Sequence, residues 1–464
     1  MADTSQSLTE TLAHYWAGVR YHDLPDEVIQ AAKRALLDTL AAGVAGASTG
    51  VVATVKEAAS FVLDAGGGSS ILWGDPLRLP APQAALVNGT AAHALELDDF
   101  GGCGHSGAVV VPAVCAIADR VGATGEQTLT AIVAGYDIAA RVLEGAGGYR
   151  PHNEAGWHST GTCGSFGAAA GTAKLLSLSA RQFTHALGIA GTFTGGTWAF
   201  LADGAMTKRF HPGKAAETGL AAALLARAGM SGPRFVLEAE WGGFFRTYSK
   251  EAAVPEAALA ALGLEFRILE SGIKPYACCR GMHGCVDSLL DTMATHGFEV
   301  RAIEQMIVHG GARTRRQFAR RRIETLLDAQ FSFPYTLAVA AESGRAGLDQ
   351  FEPLRHHDPP IRRLMAATEV VDDRTLGPEE NPTLEIRLHD GRSFSHQTSF
   401  GRGAPERPLS ERDRTTKATS LMTPTFGASA VQDILTMVRD LESLDDVRRL
   451  TTLLGRPSLP TVTP

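Results

Sequence analysis

The sequence lacks any apolar run that approaches the roughly 18 residues needed to span a bilayer. Its first residues, MADTSQSLTETLAHYW, contain neither a basic leader nor the apolar core of a signal peptide. We therefore expect a cytoplasmic protein with no membrane partner. The six cysteines are too few for a disulfide framework in 464 residues, and two of them are adjacent, so we expect reduced thiols.

The sequence also lacks an excess of basic charge. Lysine and arginine total 43 against 50 acidic residues, a net charge of −7, which argues against nucleic acid as a partner. One exception is ARTRRQFARRR at 312–322. Its six arginines fit a solvated or subunit-contact segment, an attractor for anionic substrate or a nucleic-acid patch, and these alternatives stay open.

Glycine, in contrast, is abundant, with 50 residues, and apolar side chains recur at helical spacing through the first half of the chain. This pattern predicts tightly packed helices separated by loops. The predicted helices span 26–47, 52–64, 80–95, 107–121, 126–146, 164–177, 180–193 and 213–229.

The pattern changes near residue 265. Segments 303–311, 368–373 and 384–399 predict strands, and Asp390–Gly391 predicts a hairpin turn within the last of them. Helical spacing returns at 428–454. We therefore predict a mainly helical protein with an α+β second domain: a helical domain over 1–265, an α+β lid over 266–400, and C-terminal helices over 401–464 that return to the helical domain.

Titratable side chains concentrate in NGTAAHALELDDFGGCGHSGAVVVP, residues 88–112. The stretch predicts a helix end, a glycine-rich loop and a second helix starting at Ser106. Histidines and carboxylates held between two rigid helices are a common form of acid–base site. The alternative is that Asp98 and Asp99 only cap and solvate a helix end.

Two other motifs suggest binding groups. GWHSTGTCGSFGAAAGTAKLL at 156–176 does not follow a hydrophobic strand, so its glycines indicate close helix contact rather than nucleotide binding. His158 lies where the following helix opens, a position that favours an anion, although a lone histidine is more often structural. Lys208, near a helix start predicted at Lys214, could bind a carboxylate or be a solvated surface residue.

SGIKPYACCRGMHGC at 271–285 combines cysteines, a histidine, Lys274 and Arg280. Adjacent cysteines are a poor match to the spaced pairs of structural zinc sites, so we predict a cation cluster and no metal. Tyr335, at the start of a predicted helix, could be a catalytic phenol or a partly buried aromatic residue.

Six motifs together, in this order and over essentially the whole chain, resemble the MmgE/PrpD family, which contains 2-methylcitrate dehydratase, cis-aconitate decarboxylase and iminodisuccinate epimerase. The resemblance implies a helical domain, a smaller α+β lid, no metal or organic cofactor, and a homodimer. The motifs are HALELDDF with GHSGAVVVP, GWHSTGT, TKRFHPGKAA, IKPYACCRGMH and DAQFSFPYTLAVA.

The resemblance also implies a set of site residues. The predicted catalytic residues are His105, His158, Tyr335 and Asp98, and the predicted substrate-binding residues are Glu96, Asp99, Lys208, Lys274 and Arg280. Two positions depart from the LDFDDT-like motif of the decarboxylase and dehydratase branches, where Glu96 replaces an Asp and Phe100 replaces a Thr. These changes should reshape the floor of the pocket and bring both substrates into question.

The converging cations and histidines favour a small di- or tricarboxylate as substrate. Proton transfer beside a carboxylate requires a positioned acid or base and cations that stabilise an enolate-like transition state. We therefore predict a cofactor-independent lyase with His105 as the principal acid/base, and Lys208 and Lys274 gripping substrate from the two domains. The alternatives are an epimerase of an iminodisuccinate-type dicarboxylate and a non-catalytic polycarboxylate-binding protein.

Overall fold

The computed structural model describes residues 6–61, 67–376 and 381–455. It confirms a mainly helical protein with a smaller part that combines helices and a sheet. The chain forms two compact units. Unit 1 comprises Met1–Ala94, Asp98–Ser271 and Glu411–Pro464, and unit 2 comprises Leu95–Leu97 and Gly272–Ser410. Segment 95–97 therefore belongs to unit 2 although both of its neighbours in the chain belong to unit 1.

Unit 1 is built from helices and one short hairpin of strands β1 and β2. Apolar spacing explains most of these helices, and Thr124 and Ser179 begin two of them with capping boxes. The elements are α1 Leu8–Gly18, α2 Asp26–Gly46, α3 Gly50–Phe61, β1 Ser70–Leu72, β2 Asp75–Leu79, α4 Ala81–His93, α5 Gly107–Val121, α6 Gly125–Gly145, α7 Tyr149–Glu154, α8 Ser159–Leu175, α9 Ala180–Thr192, α10 Thr207–Arg227, α11 Phe244–Ser249, α17 Glu411–Arg439 and α18 Arg448–Leu454.

Glycine lets these helices approach backbone to backbone. A Cβ atom on Gly167 of α8 would lie 2.6 Å from the carbonyl oxygen of Gly135 on α6. A Cβ atom on Gly89 of α4 would lie 2.8 Å from the Cα atom of Gly213 on α10. No real Cβ atom fits at such distances, so the prediction that these glycines serve close helix contact is confirmed.

Unit 2 contains a four-stranded sheet of strands β3 Ile303–Gly310, β4 Thr368–Asp372, β5 Thr383–Leu388 and β6 Ser393–Gln397, in the order β4-β3-β5-β6. Strand β3 pairs in parallel with β4 and antiparallel with β5, and β5 pairs antiparallel with β6 across the predicted hairpin turn. Alternating apolar side chains such as Met306 and Val308 are buried. The helices are α12 His283–His296, α13 Ala312–Phe318, α14 Leu326–Gln330, α15 Phe333–Ser343 and α16 Pro359–Ala367.

The C-terminal helices pack on earlier helices of unit 1. The Lys417 ammonium on α17 lies 2.6 Å from the buried Asp38 carboxylate on α2, and the Thr451 hydroxyl on α18 donates to Asp119 on α5 at 2.6 Å. The prediction that helical structure returns at 428–454 is confirmed, although in two helices: α17 begins earlier, at Glu411, bends at Gly427, where φ is 75°, and ends at Arg439, before α18.

Some sequence predictions fall on residues outside those described. These are the end of the helix predicted over 52–64, from residue 62 on, the end of the segment predicted over 401–464, from residue 456 on, and the first five residues. Among the described residues, no single helix is long and apolar enough to cross a membrane. The pair α2 and α3 meets that test only together, across an 89° bend.

Candidate active site

The acidic stretch forms a tight loop of unit 1 between α4, which ends at His93, and α5, which begins at Gly107. Ser106 precedes α5 directly, close to the predicted helix start. Gly101, Gly102 and Gly104 have φ values of 97°, 54° and 123°, which side chains other than glycine rarely adopt. The loop can therefore turn back sharply enough to bring its histidines and carboxylates together.

One carboxylate oxygen of Asp98 lies between two histidines. Asp98 Oδ2 is 2.7 Å from His93 Nδ1 and 3.2 Å from His105 Nδ1. The side chains of His93 and Asp98 are 0% exposed, whereas that of His105 is 15% exposed. His105 is therefore the member of this group that a ligand can reach.

His105 is held by the loop backbone as well. Its Nδ1 atom lies 2.7 Å from the carbonyl oxygen of Asp99. Both neighbours of Nδ1, the Asp99 carbonyl and the Asp98 carboxylate, are acceptors, so Nδ1 carries a proton and donates it. The ring nitrogen that remains for proton exchange with a substrate is Nε2.

The Asp99 side chain holds the start of α5. Gly107 N–H donates to both carboxylate oxygens at 3.0 and 3.1 Å, and the Tyr136 hydroxyl donates at 2.8 Å. Burial, followed by the negative charge of Asp98, raises the pKa of Asp99 to about 8, although the Tyr136 bond opposes this. Asp99, predicted to bind substrate, lies here against protein groups.

Lys208 reaches this group from α10. Its ammonium lies 3.1 Å from His93 Nε2, and the side chain is buried. The prediction that the helix starts near Lys214 was wrong, because α10 begins at Thr207 and continues through Pro212. Burial lowers the pKa of His93 to about 3 despite the opposing charge of Asp98, so His93 is neutral and can accept from the ammonium.

His158, immediately before α8, lies beside a second histidine that the sequence did not single out. His158 Nδ1 is 3.0 Å from His211 Nδ1 of α10. Burial and then the Lys208 charge lower the pKa of both, that of His158 well below its ordinary value and that of His211 to about 4. Two neutral rings can share one hydrogen bond here, with one Nδ1 donating to the other.

Glu96 and Lys274 form a buried ion pair within unit 2. The Lys274 ammonium lies 3.3 Å from both the carboxylate and the backbone carbonyl of Glu96, and the two side chains are 1% exposed or less. Glu96 has a φ of 54°, a left-handed conformation that is unusual for a glutamate. The lysine and the residue that departs from the family motif are thus direct partners.

Arg280 and Tyr335 contact protein groups of unit 2. The Arg280 guanidinium donates to the carbonyl oxygens of Gly401 and Arg402 at 2.9 and 3.2 Å. The buried Tyr335 hydroxyl donates to the Gln350 carbonyl at 2.9 Å and accepts from Arg355 N–H at 3.0 Å. Both side chains anchor loops, and their predicted roles in catalysis and binding stay predictions.

The described residues contain one group with the donors of a metal site, namely His93, Asp98 and His105, whose ligand atoms lie within 4.8 Å of one another. Two histidines and a carboxylate would suit zinc. The Lys208 ammonium against His93 opposes a second cation there. Cys278 and Cys285 are buried, and burial raises the pKa of both thiols, which disfavours the thiolate that a metal needs.

Sequence reasoning missed two members of this site. His93 belongs to the dense stretch, but no role was predicted for it, and His211 lies within TKRFHPGKAA, where only Lys208 was given a role. A weak signal existed for His93, because it lies five positions before Asp98 across a helix end, where the chain can fold a side chain back. His211 is 53 positions from His158, and nothing local connects them.

The fold is that of a mainly helical protein with a buried cluster of histidine, carboxylate and lysine side chains. The chain matches the MmgE/PrpD N-terminal domain over residues 10–257 and the MmgE/PrpD C-terminal domain over residues 276–443. The chain belongs to the MmgE/PrpD family.

Similar proteins include several decarboxylases. The cis-aconitate decarboxylase of Homo sapiens is 28% identical over 481 aligned residues, which cover 98% of this chain and 96% of that protein. The cis-aconitate decarboxylase-like protein oryM of Aspergillus oryzae is also 28% identical, with 97% of each chain covered. A cis-aconitate decarboxylase of Aspergillus terreus is 26% identical over 98% of this chain and 97% of that protein.

Proposed function

We propose that this protein is a lyase that removes carbon dioxide from a small tricarboxylate of the cis-aconitate type, with His105 as its principal acid/base. Family membership and the names of the relatives support the enzyme class. The observation that carries the proposal is the arrangement around Asp98, which leaves only Nε2 of a partly exposed His105 free to exchange a proton.

The proposed decarboxylation requires a side chain that can donate a proton to the substrate. When the bond from carbon to the departing carboxylate breaks, carbon dioxide leaves and its electron pair stays on the substrate. An unsaturated substrate shifts this pair along its double bond, and a carbon atom then takes up one proton. A general acid must supply that proton, and His105 Nε2 can do so when the ring is an imidazolium.

Lys208 supplies a positive charge that can bind a carboxylate of the substrate. Its ammonium lies beside neutral His93, and burial strengthens the attraction between an ammonium and a carboxylate. His158 and His211 are held neutral, so they can donate or accept hydrogen bonds without adding positive charge. We propose that Lys208 binds one substrate carboxylate and that His158 hydrogen-bonds to the substrate.

The test is to incubate the purified protein in D2O with cis-aconitate, citrate and succinate-like acids and to follow proton NMR spectra. Loss of cis-aconitate with appearance of a dicarboxylate supports the proposal. Exchange at a stereocentre without loss of carbon dioxide would indicate an epimerase. Saturable binding without any reaction would indicate a binding protein, and either outcome would overturn the decarboxylase proposal.

The role of His105 is tested by a matched pair of variants. His105→Gln removes the proton carrier but keeps most of the side-chain volume, so turnover should fall by a factor on the order of 10²–10⁴ with a smaller change in KM. His22→Gln is the control, because His22 is exposed. Full turnover in His105→Gln would place the proton carrier elsewhere, with His158 the next candidate.

We also propose a homodimer that works without metal, as the family resemblance implies. Light scattering should give twice the chain mass of 49.0 kDa. A single-chain mass at micromolar concentration would contradict the dimer.

A further inference from the structure

We infer that His93 is a positioning residue for the reaction proposed above, which orients Lys208 with one ring nitrogen and the Asp98–His105 pair with the other. The inference rests on that proposed function and adds a residue to it. The side chain is completely buried at the end of α4, so its contacts are with the protein.

The partners of His93 determine its tautomer. An ammonium group has donors and no acceptor, so Nε2, 3.1 Å from Lys208 Nζ, must accept. The ring proton is then on Nδ1, which donates to Asp98 Oδ2 at 2.7 Å. A neutral imidazole has one donor and one acceptor, and each of the two is matched here to a partner that needs it.

The same Asp98 oxygen contacts His105. Oδ2 accepts from His93 and lies 3.2 Å from His105 Nδ1, so the His93 bond helps to hold in place the carboxylate oxygen that faces His105. The rings of His93 and His105 lie 4.5 Å apart at an angle of 58°. A shift of His93 would therefore move both the carboxylate and the ammonium.

This double role predicts that two substitutions will have different effects. The amide nitrogen of asparagine can replace Nδ1, so His93→Asn keeps a donor for Asp98 and loses the acceptor for Lys208. Glutamine is longer and its amide oxygen can replace Nε2, so His93→Gln keeps an acceptor for Lys208 and loses the donor for Asp98. Each variant thus removes one contact and retains the other.

With cis-aconitate as substrate, His93→Asn should raise KM about tenfold, the effect of one misplaced charge-assisted contact, with kcat changed only a few-fold. His93→Gln should lower kcat about 10²-fold with a small change in KM, because the acid/base pair is disturbed. Melting curves must first show that both variants fold. Equal changes of kcat and KM in the two variants would overturn the inference, since a residue that only fills space would produce them.

A second measurement needs no activity. In the substrate-free protein, the ¹⁵N chemical shifts of His93 and His105 should show both rings protonated at Nδ1. His93→Asn should preserve this state of His105, whereas His93→Gln should shift its Nδ1 signal. A parent protein with His93 protonated at Nε2 would overturn the inference, while absence of decarboxylation with these NMR results intact would overturn only the proposed reaction.

Discussion

The replacement of Lys274 by methionine tests the buried pair in unit 2. The Lys274 ammonium contacts both the carboxylate and the carbonyl of Glu96, and neither side chain is exposed to solvent. Methionine fills a similar volume but carries no charge. The variant would therefore leave a buried carboxylate without the cation that faces it.

The size of the effect follows from burial. Breaking a buried ion pair by removing one partner costs about 3–5 kcal/mol, whereas replacing both partners by neutral groups is often close to neutral. Lys274→Met should therefore destabilise the protein by about 3 kcal/mol or more. Adding Glu96→Gln should recover most of that loss, because the stranded negative charge is gone.

Urea unfolding of the parent, the two single variants and the double variant gives the coupling free energy directly. Arg301→Met is the control, because the Arg301–Glu299 pair, at 2.8 Å, is 84% and 71% exposed and should contribute nothing measurable. If Lys274→Met matches the control, the reasoning from burial is refuted. The affinity of the same variants for cis-aconitate tests the predicted substrate role of Lys274.

Three further predictions concern pH, a phenol and metal. Asp99 keeps its proton in the folded state up to pH about 8 but loses it near the ordinary aspartate pKa of 3.8 when unfolded, so it lowers stability as pH rises between these values. In urea unfolding, the free energy of unfolding of Asp99→Asn minus that of the parent should therefore be larger at pH 8 than at pH 5. The same difference at both pH values would contradict the raised pKa of Asp99. Tyr335→Phe should lose about 1–3 kcal/mol of stability, because it removes the hydroxyl that pairs the buried Gln350 carbonyl and the partly buried Arg355 N–H, with kcat changed only a few-fold; a large loss of kcat at unchanged stability would instead identify a catalytic phenol. Chelators should leave activity unchanged and elemental analysis should find no stoichiometric zinc, whereas activity lost to a chelator and restored by zinc would make His93, Asp98 and His105 a metal centre.

Local patterns predicted much of the fold. The strands at 303–311, 368–373 and 384–399 were confirmed because alternation and an Asp-Gly turn are properties of neighbouring residues, and α5 has the bounds that its apolar spacing predicted. The strand order β4-β3-β5-β6 could not be predicted, because it depends on contacts between distant segments. The start of α10 was missed because Pro212 resembles a helix start.

In the site, too, the residues that are close in sequence could be predicted and the contacts between distant segments could not. The dense stretch around Asp98 and His105 was recognisable because its residues are close in sequence. The contact of His93 with Lys208 spans 115 positions, and that of His158 with His211 spans 53, so neither leaves a local pattern. The bonds of Arg280 and Tyr335 to backbone carbonyls also depend on loops whose paths only the folded chain reveals.

The close contact of Gly89 with Gly213 holds α4 and α10 at a short distance near the site. Gly89 lies four residues before His93 on α4, and Gly213 lies five residues after Lys208 on α10. The contact between the two glycines therefore sets the distance between the helix backbones from which the His93 and Lys208 side chains extend. A Cβ atom at Gly213 would lie 2.2 Å from the Leu86 carbonyl oxygen on α4, so a methyl group there would have to push α4 and α10 apart. Gly213→Ala, which adds no charge and touches no polar group of the site, therefore offers a way to change the distance between His93 and Lys208 while leaving both residues in place.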